Sequence, residues 1–287
     1  MNKNKPAKKL AFSLIELSVV ILVIGVFVVG VTQGTKMLNS ANLASAKSLT
    51  QGSPVASIEN LVMWLETTSD KSFKAGENIN TAFGATGTIT SWNDISLQAT
   101  SPNNATQSGA SFRPRYVVNG INGLPAINFD GIDDYLNWNG TSLVNSNYTV
   151  FVVEQRRRST YNYFISGINL VGNNSALILG YRSNTKVTFA QYINDYDIII
   201  SGYTSPIPTI HSFTFNSAIG KNYYLNGQIP SGGTCITTNC KTGLSSYTAR
   251  LGEYSGDIGE IIVFNKFLSN IERTSVEDYL KTKWRIK

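Results

Sequence analysis

The first strong pattern is a run of twenty positions, Phe12 to Val31, that carries a single charge, Glu16. At about 1.5 Å per residue, twenty helical residues reach roughly 30 Å, the thickness of a bilayer's hydrocarbon core. The run therefore predicts a membrane-crossing helix. The following "TQGTKMLNSANLASAKSLTQ" is polar with small apolar residues and has no proline before Pro54, so the helix is expected to continue to about Leu49. Gly52 and Pro54 in "QGSPVAS" punctuate the chain there.

Beyond that break the period changes. "NLVMWLE", "PAINFD", "YTVFVVEQ", "ALILGYR", "KVTFAQY", "DIIISGY", "HSFTFN", "KNYYLNGQ" and "GEIIVFN" are short β-branched and aromatic segments separated by Gly, Asn and Ser. That spacing predicts an antiparallel sandwich rather than βαβ units. One helix closes the chain. Ser269 and Glu272 form a capping-box pattern, and Ile271, Val276, Leu280 and Trp284 are expected on its buried face. The expected organisation is a basic stretch at 1–11, a membrane-crossing helix within 12–50, a linker at 51–57 and a sandwich at 58–287.

Lys3, Lys5, Lys8 and Lys9 precede the apolar run without an acid among them, which predicts a cytoplasmic N-terminus. Glu16 is then the anomaly, because a carboxylate at mid-bilayer costs about 2.5–3.5 kcal/mol. One reading is that it snorkels to the headgroups from the helix end. The other is that it needs a cationic partner, which a freshly cut N-terminus on a neighbouring chain would supply.

The stretch "AFSLIEL" after a lysine-rich leader resembles the cleavage and methylation signature of type IV prepilins and type II secretion pseudopilins. Where that family usually has Gly before the cut, Ala11 stands here, and Ser13 stands in the usual place of Thr. The resemblance covers about residues 6–35. It implies cleavage between Ala11 and Phe12 by a prepilin peptidase, N-methylation of Phe12, and filament assembly with Glu16 paired to a neighbour's amine. The implied partners are the inner membrane and other pilin or pseudopilin subunits. Two rivals stay open: a secretory signal ending at "ASA", Ala44–Ala46, and an uncut anchor.

Charge changes little. Without the four leader lysines, 20 of the 24 Lys and Arg face 18 acids, so the overall basicity does not argue for nucleic acid. Cys235 and Cys240 in "CITTNC" suit a disulfide in an exported domain, worth about 2 kcal/mol on the chain-entropy model. His211 is the only histidine, which argues against a zinc site and against a Ser-His-Asp triad.

A second resemblance rests on "LVMWLET", "ITSWNDIS", "RPRYVVNGINGLPAINFDGIDDYL", "YTVFVVEQ" and the C-terminal "GDIGEIIVFNKFLSNIERTSVEDYLKTKW". This ordered set is similar to the laminin-G-like branch of the concanavalin A-like lectin/glucanase superfamily. It implies a mainly β fold: a jelly-roll sandwich at 58–287, beside the long N-terminal helix and the C-terminal helix. Relatives bind glycans, proteins or calcium.

Candidate chemistry is thin. Glycoside hydrolysis needs two carboxylates flanking a sugar. Glu253, Asp257 and Glu260 in "EYSGDIGE" are badly spaced for one strand face, and Gly256 and Gly259 suggest a turn within them. No catalytic residue is named and no enzyme activity is expected. Asp130, Asp133 and Asp134 in "DGIDD" fit either a plain turn or a calcium ion. Arg156–Arg158, followed by Tyr161 and Tyr163, reads as a solvated loop, with an acidic glycan or DNA as the functional alternatives. Tyr192, Tyr196, Tyr203, Tyr223 and Tyr224 could stack on sugars or pack on strands. The combined expectation is a minor pilin-like subunit displaying a head that binds a glycan or protein at a surface. The alternatives are a pseudopilin of a type II secretion machine, or an anchored or secreted lectin without a filament.

Overall fold

The computed structural model describes residues 13–74, 87–98, 101–202, 204, 206–235 and 237–287. It divides into two compact units, Met1–Ala41 and Asn42–Lys287. The first is carried by helix α1, Leu14–Gln51, whose last turns belong to the second. Its hydrophobic side chains from Leu14 to Val31 are 50 to 85% exposed. Within residues 51–57, expected as a linker, Pro54–Ser57 form a 3-10 turn and Val55 is buried.

The second unit is an antiparallel β-sandwich with a C-terminal helix. One sheet runs in the order β15 (Thr234–Cys235), β14 (Gly220–Leu225), β13 (Thr209–Asn216), β8 (Tyr148–Arg156), β17 (Ser255–Phe264), β6 (Leu124–Asp130), β5 (Arg115–Ile121) and β2 (Gly87–Thr88), with β1 (Leu61–Glu66) also paired to β17. The other runs β12 (Asp195–Ile199), β11 (Lys186–Gln191), β10 (Leu177–Ser183), β9 (Asn162–Gly167), β16 (Ala249–Gly252), β7 (Tyr135–Asn137), β4 (Ala105–Thr106) and β3 (Ser91–Trp92). A short helix α2, Thr238–Lys241, follows β15, and α3 spans Asn270–Trp284.

Alternation along the central strands builds two cores. Val150 and Val152 of β8 and Phe213 of β13 join the cluster between the sheets. Phe151 and Val153 face the other way and join the cluster under α3. The turn falls before both glycines, at Glu253 with φ 57° between β16 and β17; Gly256 and Gly259 lie inside one continuous strand, Ser255–Phe264, whose irregularity is a register shift between Ile258 and Glu260. Gly259 sits at that shift because a Cβ there would lie 2.5 Å from the Trp284 ring.

The capping box of α3 is formed: Ser269 N donates to Glu272 Oε2 at 2.8 Å and Glu272 N donates to Ser269 Oγ at 3.2 Å. Val276, Leu280 and Trp284 are buried as expected, but Ile271 is 82% exposed. At about 100° per residue, Ile271 lies some 140° from Val276 around the helix. Polar residues fill the buried face instead. Lys283 Nζ donates to Glu66 Oε2 and to Glu260 Oε2, both at 2.9 Å, and all three side chains are fully buried. Burial by itself would raise the Glu66 carboxyl. The Lys283 charge and hydrogen bonds from Thr68 outweigh it and hold the carboxyl below its ordinary range. Burial would likewise depress Lys283, and the two glutamates lift it instead.

Both shifts favour the ionised triad in the folded state. The Glu66 contribution is present above its ordinary carboxylate range and is lost as pH falls through its folded value; the Lys283 contribution is lost as pH rises through its own. Replacing Lys283 with Met should therefore cost about 3–5 kcal/mol at pH 7, since two buried carboxylates lose their counter-ion. Urea unfolding of the detergent-solubilised chain, followed by tryptophan fluorescence, measures it. An unchanged midpoint would refute the assigned role.

Candidate functional site

At the start of α1, Ser13 N donates to Glu16 Oε2 at 2.9 Å, and Ile15 N donates to Ser13 Oγ at 3.3 Å. Ser13 and Glu16 are three residues apart, so this is the capping arrangement at a helix N-terminus. Within a single chain, Glu16 thus already has a backbone partner, which the sequence reading overlooked. Ala11 and Phe12, the expected cleavage and methylation positions, lie outside the described residues.

In the acidic turn after β6, Asp130 Oδ1 accepts from Ile132 N at 2.8 Å and from Asp133 N at 3.3 Å, while Asp130 N donates to Asp134 Oδ2 at 3.0 Å. These bonds make the carboxylates part of the turn. Ligand atoms of Asp130, Asp133 and Asp134 also lie within 4.8 Å of one another, close enough to share a cation.

The arginine run is not a solvated loop throughout. Arg156 ends β8, is buried, and stacks its guanidinium 3.8 Å from the centre of the Tyr181 ring. Arg157 pairs at 2.6 Å with the buried Asp257. Arg158 donates to Gly131 O at 2.6 Å and so ties to the acidic turn. The three cations are engaged by the fold, and three carboxylates stand next to the outermost. Arg157 and Arg158 also line an open recess of about 650 Å³ with Ser159, Asn184, Thr204 and Ser255.

His211 lies between the sheets, fully buried. Its Nε2 is 2.9 Å from Glu154 Oε1 and 3.0 Å from the Tyr181 hydroxyl, and its Nδ1 is 2.9 Å from the Tyr223 hydroxyl. Tyr181 and Tyr254 both donate to Glu154. Burial, reinforced by the Glu154 charge, pushes the hydroxyls of Tyr181, Tyr223 and Tyr254 well up. With every member sealed from solvent, this cluster is an internal polar pin. Of the carboxylates weighed and set aside for hydrolysis, Asp257 and Glu260 are buried in ion pairs, and the exposed Glu253 is 3.5 Å from Arg250.

Of the tyrosines considered for stacking, Tyr223 is buried and Tyr224 lies under Arg273 at 3.7 Å. Tyr196 sits in β12, and Tyr203 lies outside the described residues. Tyr192 is different. It and Ile193 form the two-residue turn between β11 and β12, with φ of 20° and 64°. Such a turn favours Asn-Gly, and a β-branched residue in this region is an outlier that costs on the order of 1–3 kcal/mol. Ile193 is nevertheless 61% exposed.

Beside this turn is a recess of about 380 Å³, lined by Asn173, Asn174, Ile193, Asn194, Asn239 and Thr242. Three segments meet there: the loop before β10, the strained turn, and α2. Asn194 Nδ2 joins them, donating to Asn174 Oδ1 at 2.9 Å, to Gln191 Oε1 at 3.3 Å and to Thr242 O at 3.2 Å. Beneath it the buried Lys221 Nζ donates to Asn194 O at 2.6 Å. Burial pulls that amine down to about 7. The disulfide Cys235–Cys240 holds α2 against β15, with the Cα atoms 5.7 Å apart. The sequence signals were weak: an asparagine pair at 173–174 and a Tyr-Ile pair where turn residues belong.

No protein-family model matches the sequence, and no curated protein matches it. Among solved structures, Trypanosoma rangeli sialidase in complex with sialic acid aligns with a TM-score of 0.50 and 14% identity, over 78% of this chain and 33% of the sialidase. The binding domain of Paraclostridial Mosquitocidal Protein 1 aligns with the same score and identity, over 78% of this chain and 52% of that domain. The chain thus spans about a third and about half of the lengths of these two. At such identities the likeness establishes the sandwich fold and leaves function to the site.

The acidic turn yields a pH test. Burial raises the Asp134 carboxyl to about 6; the Asp130 and Asp133 charges add to the rise, and a backbone hydrogen bond from Asp130 and the charge of Arg115 oppose it. Protonation therefore favours the folded state. This contribution is present below the ordinary aspartate value and is lost as pH rises through about 6. Asp134→Asn should match the native midpoint at pH 4 and exceed it at pH 7.5 in thermal melts. If calcium occupies the turn, it should raise the native midpoint at pH 7.5 and leave that of the variant unchanged. Equal midpoints for the two proteins at both pH values would count against the burial argument.

Proposed function

We propose that the chain is a prepilin-like subunit: α1 inserts in the inner membrane and then packs into a filament, and the sandwich is a head that binds a glycan or protein at a surface. The observation that carries this is the exposure of α1. The exposed apolar side chains from Leu14 to Val31, with Glu16 the single charge among them, call for cover by lipid or partner helices. The "AFSLIEL" signature gives the second of these its form, with Phe12 as the mature terminus and Glu16 as the internal carboxylate. The head would sit in the periplasm before assembly. Its binding role is argued from fold-level likeness to a toxin's binding domain and to a sialidase chain, and from the absence of accessible paired carboxylates among the described residues near 253–260.

The Ser13–Glu16 cap favours one rival, an anchored head without a filament, because it satisfies the carboxylate within one chain. Assembly in this proposal exchanges that cap for a neighbour's methylated amine. The mass of the N-terminal peptide from the membrane fraction decides processing: N-methyl-Phe12 is expected, and an intact Met1 would remove the filament reading. Glu16→Ala should leave membrane insertion and head folding unchanged while cutting filament incorporation at least about tenfold, the consequence of losing a buried charge pair. Normal incorporation would leave the cap as the residue's whole role.

A further inference from the structure

We infer that the asparagine-lined recess beside the Tyr192–Ile193 turn is a binding site for a neutral sugar residue; this rests on the reading of the head as a ligand-binding module and gives that module its place and its ligand chemistry. The recess of about 380 Å³ falls in the range of small-ligand pockets. It is lined by Asn173, Asn174, Asn194, Asn239 and Thr242 together with Ile193, with no charged residue among them. A carboxamide presents a donor pair and an acceptor together. Adjacent hydroxyls on a pyranose ring are likewise donor and acceptor at once, so such a lining matches a neutral sugar better than it matches an anion.

The site has a built floor and an exposed rim. Asn194 is 7% exposed and its Nδ2 faces three acceptors, which fixes the orientation of the amide. Its Oδ1 is buried and has no hydrogen-bond partner among the described residues. Asn173, Asn239 and Thr242 are exposed at the rim. Asp195, the nearest carboxylate in sequence, is held by Arg182.

The turn supplies the apolar half. Asn-Gly would relieve the strain at 192–193, yet the chain carries a tyrosine and a β-branched residue there, both with positive φ. Strain kept at an exposed turn beside a recess is expected where the side chains themselves are used. Ile193, 61% exposed and part of the lining, offers an apolar surface for the C–H face of a sugar ring.

The test uses the full chain in a polyoxyethylene detergent, which carries no sugar headgroup to compete. Glycans ending in galactose, glucose, mannose, N-acetylglucosamine or N-acetylgalactosamine are displayed on an array beside sialylated and uronic-acid glycans. Ile193→Gly and Asn239→Ala are compared with the native chain, and thermal midpoints are recorded in parallel. The expected result is binding of one or more neutral glycans, weakened at least about tenfold in both variants. The Ile193→Gly midpoint should be equal to or above the native one, because glycine accepts positive φ without strain. A merely structural turn would show the higher midpoint with unchanged binding, and that would overturn the site. Binding of acidic glycans alone would overturn it too, while leaving the head a binding module. Absence of binding to every glycan, native chain included, would remove the glycan form of both readings.

Discussion

Lys283 sits fully buried between Glu66 and Glu260, and the architecture of the head turns on that contact. Glu66 and Glu260 are cross-strand partners on β1 and β17, a placement that would repel without a cation between them. The triad still carries one excess negative charge, which neutral donors absorb. Glu66 receives Thr68, Ser69 and Ser72; Glu260 receives Trp64, Tyr279 and Trp284. With the donors in place, the register of β1, the shift at Ile258/Glu260 and the seat of α3 are set together. Gly259 belongs to the same arrangement, since a larger residue would drive Trp284 out of line.

A second polar pin, Glu154 with His211 and its tyrosines, does similar work between the two sheets. Both clusters use residue types that are associated with catalysis, and both are sealed. In each case burial turns a reactive-looking set into a structural one, because the acceptors are saturated by fixed donors and solvent is excluded. The arginines at 156–158 follow the same logic at the sandwich edge: an aromatic ring, a buried aspartate and a backbone carbonyl take up one each.

What the head leaves unused is modest: an asparagine-lined recess, an unpartnered Asn194 acceptor among the described residues, and a strained turn that exposes Ile193. Helix α1 is the opposite case. Its apolar side chains from Leu14 to Val31 are exposed along the whole run, and the single carboxylate folds back to cap the helix start. One part of the chain is finished as a folded body, and the other leaves its apolar side chains uncovered.

Local chemistry was legible in the sequence. Hydropathy marked α1, runs of β-branched and aromatic residues marked β8, β13 and β14, and Ser269 with Glu272 marked the start of α3, because each signal acts over a few residues. Long-range choices were not legible. Ile271 read as buried and is exposed; Glu260 read as one of three misplaced acids and pairs with Lys283, 23 residues on, opposite Glu66, 194 residues back along the chain. The recess is assembled from three loops with no common motif. Periodicity is a property of one element and survives in one dimension. The partner of a buried charge, and the convergence of loops into a site, depend on which elements the tertiary fold brings together.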